Sequence, residues 1–97
     1  MIRVNLNHNI SSFSFSVQDH ASPSVCAAVS AITQGLAGFC INHKDKLRDL
    51  AYRLNSGDSE VFFISDDKFV EGAYELAKIA LLQVQEGYPD ELRVTCD

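Results

Sequence analysis

A histidine and a cysteine lie six residues apart near the start of the chain, in the segment HASPSVCAAVS from His20 to Ser30. Ser22 and Pro23 are typical of a helix start, because serine is a good N-cap and proline fits the first helical position. Cys26 is therefore expected in the first turn of a helix. There the helix dipole and unpaired backbone N–H groups favour the thiolate, which is the nucleophilic form of the side chain.

His20 lies in the loop that leads into this helix, close enough for its imidazole to fold back toward the Cys26 sulfur. Such a pair would perform acyl transfer, with His20 taking the thiol proton and later giving it to the leaving amine. First-turn amides near Cys26 would stabilise the tetrahedral oxyanion. Asp19 is a candidate to raise the basicity of His20. The alternative is structural: Cys26 would be a small buried residue and His20 a solvated loop residue.

Cys40 and His43 have the C-x-x-H spacing of some zinc sites, but structural zinc needs about four ligands. The remaining candidates, Cys96, His8 and Cys26, form no paired motif. We therefore expect no metal and no cofactor. Cys40 is expected in the core, His43 in a solvated loop, and Cys40 and Cys96 are both expected to be structural rather than catalytic.

The elements that must position these residues are indicated by the hydrophobic pattern. Alternating apolar residues at 2–6 and 13–17 predict a hairpin whose turn falls at Asn7, His8 and Asn9. The region 42–54 fits either a helix or a strand. We favour a strand over 50–54, since Asn55-Ser56-Gly57-Asp58 is a strong turn signal and 61–64 is a second apolar run with β propensity.

Two amphipathic helices complete the prediction. The first begins after Ser22 and carries a stripe of apolar residues: Val25, Ala28, Val29, Ile32, Leu36, Phe39 and Cys40. The second runs from Lys68 to Glu86, with caps offered by Ser65, Asp66 and Asp67 and its end marked by Gly87 and Pro89. Its predicted stripe contains Phe69, Ala73, Leu76, Ala77, Ala80 and Val84. With a final strand over 92–95, the order β-β-α-β-β-α-β predicts an α+β fold of two helices on a mostly antiparallel sheet.

Composition limits the class of protein. The chain has 97 residues and a net charge of −5, which indicates one domain spanning 1–97 and argues against a nucleic-acid binder that neutralises phosphates. We expect no apolar run to reach the ~20 residues of a membrane span. The first ten residues, MIRVNLNHNI, do not resemble a signal peptide. Three cysteines, an odd number, favour free thiols and a cytoplasmic location.

The segment Val25-Cys26-Ala27-Ala28-Val29-Ser30, preceded by His20-Ala21, resembles the two motifs of the ribosomal-processing cysteine protease (Prp) family. The C-terminal pattern of a long helix, Tyr88-Pro89-Asp90 and a short strand is also similar to that family. The resemblance implies a cysteine endopeptidase in which Cys26 is the nucleophile and His20 the base. It implies no cofactor, and typically a homodimer.

By the same resemblance, the substrate would be the N-terminal extension of a large-subunit ribosomal protein, or a structural protein of phage type. The chain departs from the family pattern at three places. The loop between His20 and Cys26 is shorter, Asp19 replaces a glycine, and Ser24 replaces an aspartate. No third catalytic group is identifiable. The alternative function is a catalytically impaired, dimeric protein-interaction module on the same fold.

Overall fold

The computed structural model describes all 97 residues and contains two helices on one five-stranded sheet. In chain order the elements are β1 (Ile2–Asn9), β2 (Ser12–Gln18), α1 (Pro23–Asn42), β3 (Asp49–Asn55), β4 (Asp58–Ile64), α2 (Lys68–Gly87) and β5 (Leu92–Cys96). A short 3-10 helix, Lys44–Lys46, connects α1 to β3. The predicted α+β class and element order are confirmed, and within the ambiguous region 42–54 the favoured strand is found, beginning at Asp49.

The sheet order is β3-β4-β2-β1-β5, and all neighbours are antiparallel except β1 and β5. Alternate strand side chains point toward the helices, because successive residues of a strand face opposite sides of the sheet. The buried set of the first hairpin is Ile2, Val4, Leu6, Phe13, Phe15 and Val17. The opposite face carries polar residues, with Ser14 and Ser16 on it as predicted.

The first hairpin turns later than predicted. Asn7 and Asn9 pair with Ser14 and Ser12 inside the ladder, and the connection is the two-residue turn Ile10-Ser11. Ile10 adopts a left-handed backbone (φ 56°) with its side chain exposed, which is unusual for a β-branched residue. The ladder continues for three more pairs, within which the His8 ring stacks on Phe13 at 4.1 Å between centroids, and this pairing outweighs the turn propensity of Asn7 and Asn9.

Helix α1 begins as the sequence predicts. Ser22 is the N-cap, its Oγ accepts a hydrogen bond from the Val25 N–H at 3.5 Å, and Pro23 is the first helical residue. By length and composition α1 is apolar enough to cross a membrane, which corrects the expectation that no segment reaches that length. In this fold its apolar face, which includes Val29 and Leu36, is buried in the core.

Helix α2 is apolar on two faces, and the predicted stripe is correct only in part, since Ala77 is buried and Val84 packs against the core. Asp67 caps the helix by accepting a hydrogen bond from the Phe69 N–H at 2.8 Å, in agreement with the prediction. The buried residues of α2 are Val70, Tyr74, Ala77 and Leu81. Phe69 and Leu76 are exposed. The face that packs is chosen by the aromatic cluster beneath it, where Tyr74 lies 4.9 Å from Phe13 between ring centroids.

Candidate active site

Cys26 lies in the first turn of α1, half-buried beside the core stripe. Its sulfur makes two contacts with one loop residue: the Ala21 N–H donates to Sγ at 3.3 Å, and the thiol donates to the Ala21 carbonyl at 3.3 Å. A thiolate would keep the first of these hydrogen bonds and lose the second. The contacts hold the loop that follows His20 against the start of the helix.

The first-turn amides are largely engaged. The Val25 N–H is bonded to the Ser22 hydroxyl, and the Cys26 N–H is bonded to the Ser22 carbonyl at 2.9 Å. Pro23 has no N–H to give. The expected oxyanion donors are therefore already used by the Ser22 cap and the first helical hydrogen bond, and Ser24, which is exposed, carries the remaining first-turn N–H.

His20 is exposed, and its imidazole packs over the turn that joins β3 to β4. A Cβ built on Gly57 would lie 2.4 Å from the His20 Nε2 and 2.8 Å from its Cε1, so the ring occupies the space a side chain would need. Gly57 also has a left-handed backbone (φ 74°), which favours glycine. The glycine thus serves two purposes, closing the turn and admitting the imidazole.

Asp19 fixes the same loop to the same turn. Its N–H donates to the Gly57 carbonyl at 3.0 Å, and its backbone is left-handed (φ 74°). A position that needs this conformation is suited to glycine, and the aspartate adopts it here at some energetic cost. The Asp19 carboxylate accepts a hydrogen bond from the Arg3 guanidinium. It is thus used in an ion pair, and its expected role in raising the basicity of His20 is not seen.

The loop is anchored at its other end by Glu91. The Glu91 carboxylate accepts a hydrogen bond from the Ser22 N–H at 2.8 Å, and the Glu91 carbonyl accepts one from the Ile2 N–H at 2.8 Å. Hydrogen bonds from the Ser22 side chain and backbone lower the pKa of Glu91 below its ordinary value. The segment before β5 therefore ties the helix cap to the first strand.

His20 and Cys26 line one cleft of about 250 Å³ at the start of α1. Its walls come from the end of β2, one face of α1 and the β3–β4 turn, and its polar lining includes Ser30, Thr33, Gln34, Asn55, Ser56 and Ser59. No hydrogen bond joins the imidazole to Sγ, since the hydrogen bonds of the sulfur go to Ala21. The two predicted residues are thus brought to one site without direct contact.

Several residues of the cleft were missed at the sequence level. Ser30, Thr33 and Gln34 follow Cys26 at helical spacing on the same side of α1, a signal that helical periodicity contains. Asn55 and Gly57 were recognised only as turn residues, because the contact of Gly57 with His20 and the place of Asn55 in the same cleft depend on long-range packing that local patterns do not encode.

The Cys40–His43 pair does not resemble a metal site. The Cys40 side chain is buried in the core as predicted, and burial raises the pKa of its thiol to about 11. His43 is half-buried rather than solvated, since its Nδ1 lies 2.8 Å from the Phe39 carbonyl and its ring stacks on Phe39 at 4.4 Å. No group of three or more His, Cys, Asp or Glu side chains is arranged to hold a metal. Cys96 is exposed at the end of β5, and its expected structural role stays a prediction.

The fold is that of a small two-layer α+β domain, and solved structures of known proteins share this fold. The essential ribosomal processing protease Prp from S. aureus, in complex with a covalently linked product peptide, gives a TM-score of 0.84 at 22% identity, covering 100% of both chains. Prp from S. aureus in complex with a substrate peptide gives a TM-score of 0.72 at 21% identity, again over 100% of both chains.

A protein from Streptococcus mutans gives a TM-score of 0.75 at 19% identity, covering 99% of this chain and 96% of that one. No family model and no curated protein matches the sequence. The chain has the fold of the Prp ribosomal processing proteases, and the predicted resemblance is confirmed at the level of the fold. The roles of Cys26 and His20 stay predictions.

Proposed function

We propose that the chain is a Prp-like cysteine endopeptidase in which Cys26 is the nucleophile and His20 the general base. The observation that carries this proposal is the common cleft. A helix-start cysteine and an exposed histidine line one opening, on a chain with the Prp fold. The cleft combines apolar lining from core residues such as Val17 and Val29 with polar side chains and the β3–β4 turn, a mixed lining that suits a peptide segment as substrate.

In this mechanism the His20 imidazole keeps its contact with the Gly57 turn, rotates there toward Cys26 and takes the thiol proton. The thiolate, still held by the Ala21 N–H, attacks the scissile carbonyl carbon and forms a C–S bond. Collapse of the tetrahedral intermediate breaks the C–N bond, and protonated His20 gives its proton to the leaving amine. Water then hydrolyses the thioester and regenerates the thiol.

For the substrate we propose the N-terminal extension of a large-subunit ribosomal protein, or a structural protein of phage type. The net charge of −5 supports a basic segment as partner better than it supports nucleic acid. We further propose a cytoplasmic homodimer that acts without a cofactor and without membrane attachment. The free state of all three thiols agrees with a reducing compartment.

One observation favours the second candidate, a catalytically impaired interaction module: no hydrogen bond joins His20 to Cys26. In the protease, this hydrogen bond would form when substrate binds, since catalytic hydrogen bonds often tighten only in the substrate complex. The reactivity of the thiol separates the candidates, because an activated cysteine reacts faster than an ordinary exposed one.

The test is alkylation with iodoacetamide at neutral pH, with the labelled cysteines assigned by peptide mapping. The protease proposal predicts that Cys26 reacts faster than the exposed Cys96 and that His20→Ala slows Cys26 about tenfold. The control His43→Ala removes an imidazole at the other end of α1 and is expected to leave the rate unchanged. Equal rates at Cys26 and Cys96, unaffected by His20→Ala, would favour the interaction module.

A further inference from the structure

Strand β3 forms one edge of the sheet, and it pairs only with β4. The Ser65 N–H bonds to the Ser11 carbonyl, so odd-numbered residues of β4 direct their backbone groups to β2 and even-numbered ones to β3. The residues of β3 that pair with the even positions are Ala51, Arg53 and Asn55. The N–H and C=O groups of the alternate residues, Leu50, Tyr52 and Leu54, therefore point away from the sheet.

The outward groups of β3 are mostly free. The Leu50 N–H is bonded to the Asp49 carboxylate at 2.9 Å, which closes the edge at that end. The outward N–H groups of Tyr52 and Leu54 have no such partner. An edge strand with unpaired backbone groups and no protecting proline is a template for another extended chain.

The opposite edge of the sheet is protected. There the Val94 N–H of β5 donates to the Gln85 side-chain oxygen at 2.5 Å, so a side chain of α2 occupies the edge. The β5 edge is therefore covered by a side chain, whereas the β3 edge is open. Only the β3 edge presents consecutive outward residues with free amides.

The free edge is continuous with the candidate active site. Leu54 and Asn55, at the end of β3, line the cleft that contains His20 and Cys26. At the other end Leu50 and Tyr52 line a second hollow, of about 380 Å³. Tyr52 and Leu54 are large apolar side chains that remain 49% and 40% exposed on the side of the sheet that faces the helices. The edge between the hollows spans roughly 13 Å at about 3.3 Å per residue, which suits an extended segment of about four or five residues.

We propose that the substrate peptide docks as an added strand on the free edge of β3, beside the scissile bond, an inference that rests on the proposed protease function. The backbone of the peptide bonds to the outward groups of Tyr52 and Leu54. Its alternate side chains lie over Tyr52 and Leu54, so apolar residues at every second position are preferred. This mode gives affinity through main-chain hydrogen bonds and specificity through alternate side chains.

The test is amide hydrogen exchange on the full chain carrying Cys26→Ala, with a synthetic peptide of the host ribosomal protein's N-terminal extension as the probe. Without peptide, the Tyr52 and Leu54 amides exchange rapidly, while those of Ala51 and Arg53 are protected. With saturating peptide, the Tyr52 and Leu54 amides slow at least tenfold, and the Val94 amide on the opposite edge is unchanged.

A pair of variants at Tyr52 separates the contribution of the backbone N–H to peptide binding from that of the side chain. Tyr52→Pro removes one outward N–H without touching the ladder to β4, a position where edge strands tolerate proline. It is expected to weaken peptide binding about fivefold further than Tyr52→Ala, the loss that one net hydrogen bond represents. Circular dichroism checks that both variants are folded. Equal affinities of the two folded variants would overturn backbone docking.

Cleavage of the same peptide by the unmodified chain, read by mass spectrometry, distinguishes the two proposals. Cleavage without protection of Tyr52 and Leu54 overturns the edge proposal and leaves the protease. Protection without cleavage supports the edge as a peptide-binding surface and contradicts the protease for that substrate. If the peptide neither protects these amides nor is cleaved, both proposals are contradicted.

Discussion

At the scale of single residues, the candidate site depends on a glycine as much as on the two reactive side chains. Cys26 is placed by the helix cap at Ser22, and its sulfur is held by Ala21. His20 is placed by the absence of a side chain at Gly57. A substitution at Gly57 therefore tests the position of the His20 imidazole without altering either reactive residue.

We predict that Gly57→Ala lowers peptide cleavage about tenfold or more, since a new Cβ would displace the imidazole and small misplacements of catalytic groups are costly. The left-handed backbone also predicts a loss of about 1 kcal/mol in the free energy of unfolding. Urea unfolding and a cleavage assay measure the two effects.

The matched control is Gly72→Ala in α2, where a Cβ would meet nothing within 4 Å. Alanine favours a helix interior over glycine, so this variant is expected to gain about 0.5–1 kcal/mol with unchanged cleavage. Full activity of Gly57→Ala would show that the position of His20 does not depend on this turn.

At the scale of elements, the start of α1 is tied to the segment before β5 through Glu91 and Ser22. Because hydrogen bonding lowers the pKa of Glu91 in the folded chain, its carboxylate stabilises the fold above the ordinary value of 4.5. That contribution is lost as the pH falls from there through the lower folded value.

We therefore predict that Glu91→Gln lowers the urea midpoint at neutral pH and that the difference from the unmodified chain shrinks as the pH falls below about 4.5. Glu86→Gln, at an exposed position near the end of α2, is the control and should show no such pattern. A Glu91→Gln deficit that is the same at neutral and acid pH would contradict the role of this carboxylate.

On the core-facing side of α1, the buried thiol of Cys40 is expected to be protected from reagents. Burial raises the pKa of Cys40 from 9.0 to about 11, so its ionisation favours unfolding as the pH rises above 9.0. In the native protein at neutral pH, a colorimetric disulfide reagent should react with Cys96 and Cys26 and reach Cys40 only after unfolding. Reaction of all three thiols at similar rates in the folded protein would contradict the buried position of Cys40.

Local sequence patterns predicted the ends of some elements correctly but not the packing of α2. Ser22-Pro23 and Asn55-Ser56-Gly57-Asp58 were sufficient to predict the start of α1 and the second hairpin, because caps and tight turns are local chemistry. Phe69 and Leu76 were assigned to the wrong face of α2, since a helix with two apolar faces does not reveal which one meets the sheet.

For the candidate site, the sequence predicted Cys26 and His20 but not their surroundings. The contact of His20 with Gly57 joins residues far apart in the chain, and the pairing of Asp19 with Arg3 joins the end of β2 to β1. Neither follows from spacing, because both depend on how the strands are ordered in the sheet.

At the scale of the whole molecule, the 10.7 kDa chain presents the cleft that contains His20 and Cys26, the free edge of β3 and an apolar groove between its two helices. The proposed homodimer predicts a mass of twice 10.7 kDa by light scattering after gel filtration. A single species at the monomer mass over a wide range of concentration would contradict the dimer and leave the single-chain cleft as the functional unit.

The central claim is that Cys26 cleaves a peptide bond with the help of His20. The most direct measurement is mass spectrometry of the host ribosomal protein's N-terminal peptide after incubation with the unmodified chain, Cys26→Ala and His20→Ala. The account predicts one defined cut by the unmodified chain, no product with Cys26→Ala and a rate at least about 100-fold lower with His20→Ala. Identical products from the unmodified chain and Cys26→Ala would contradict it.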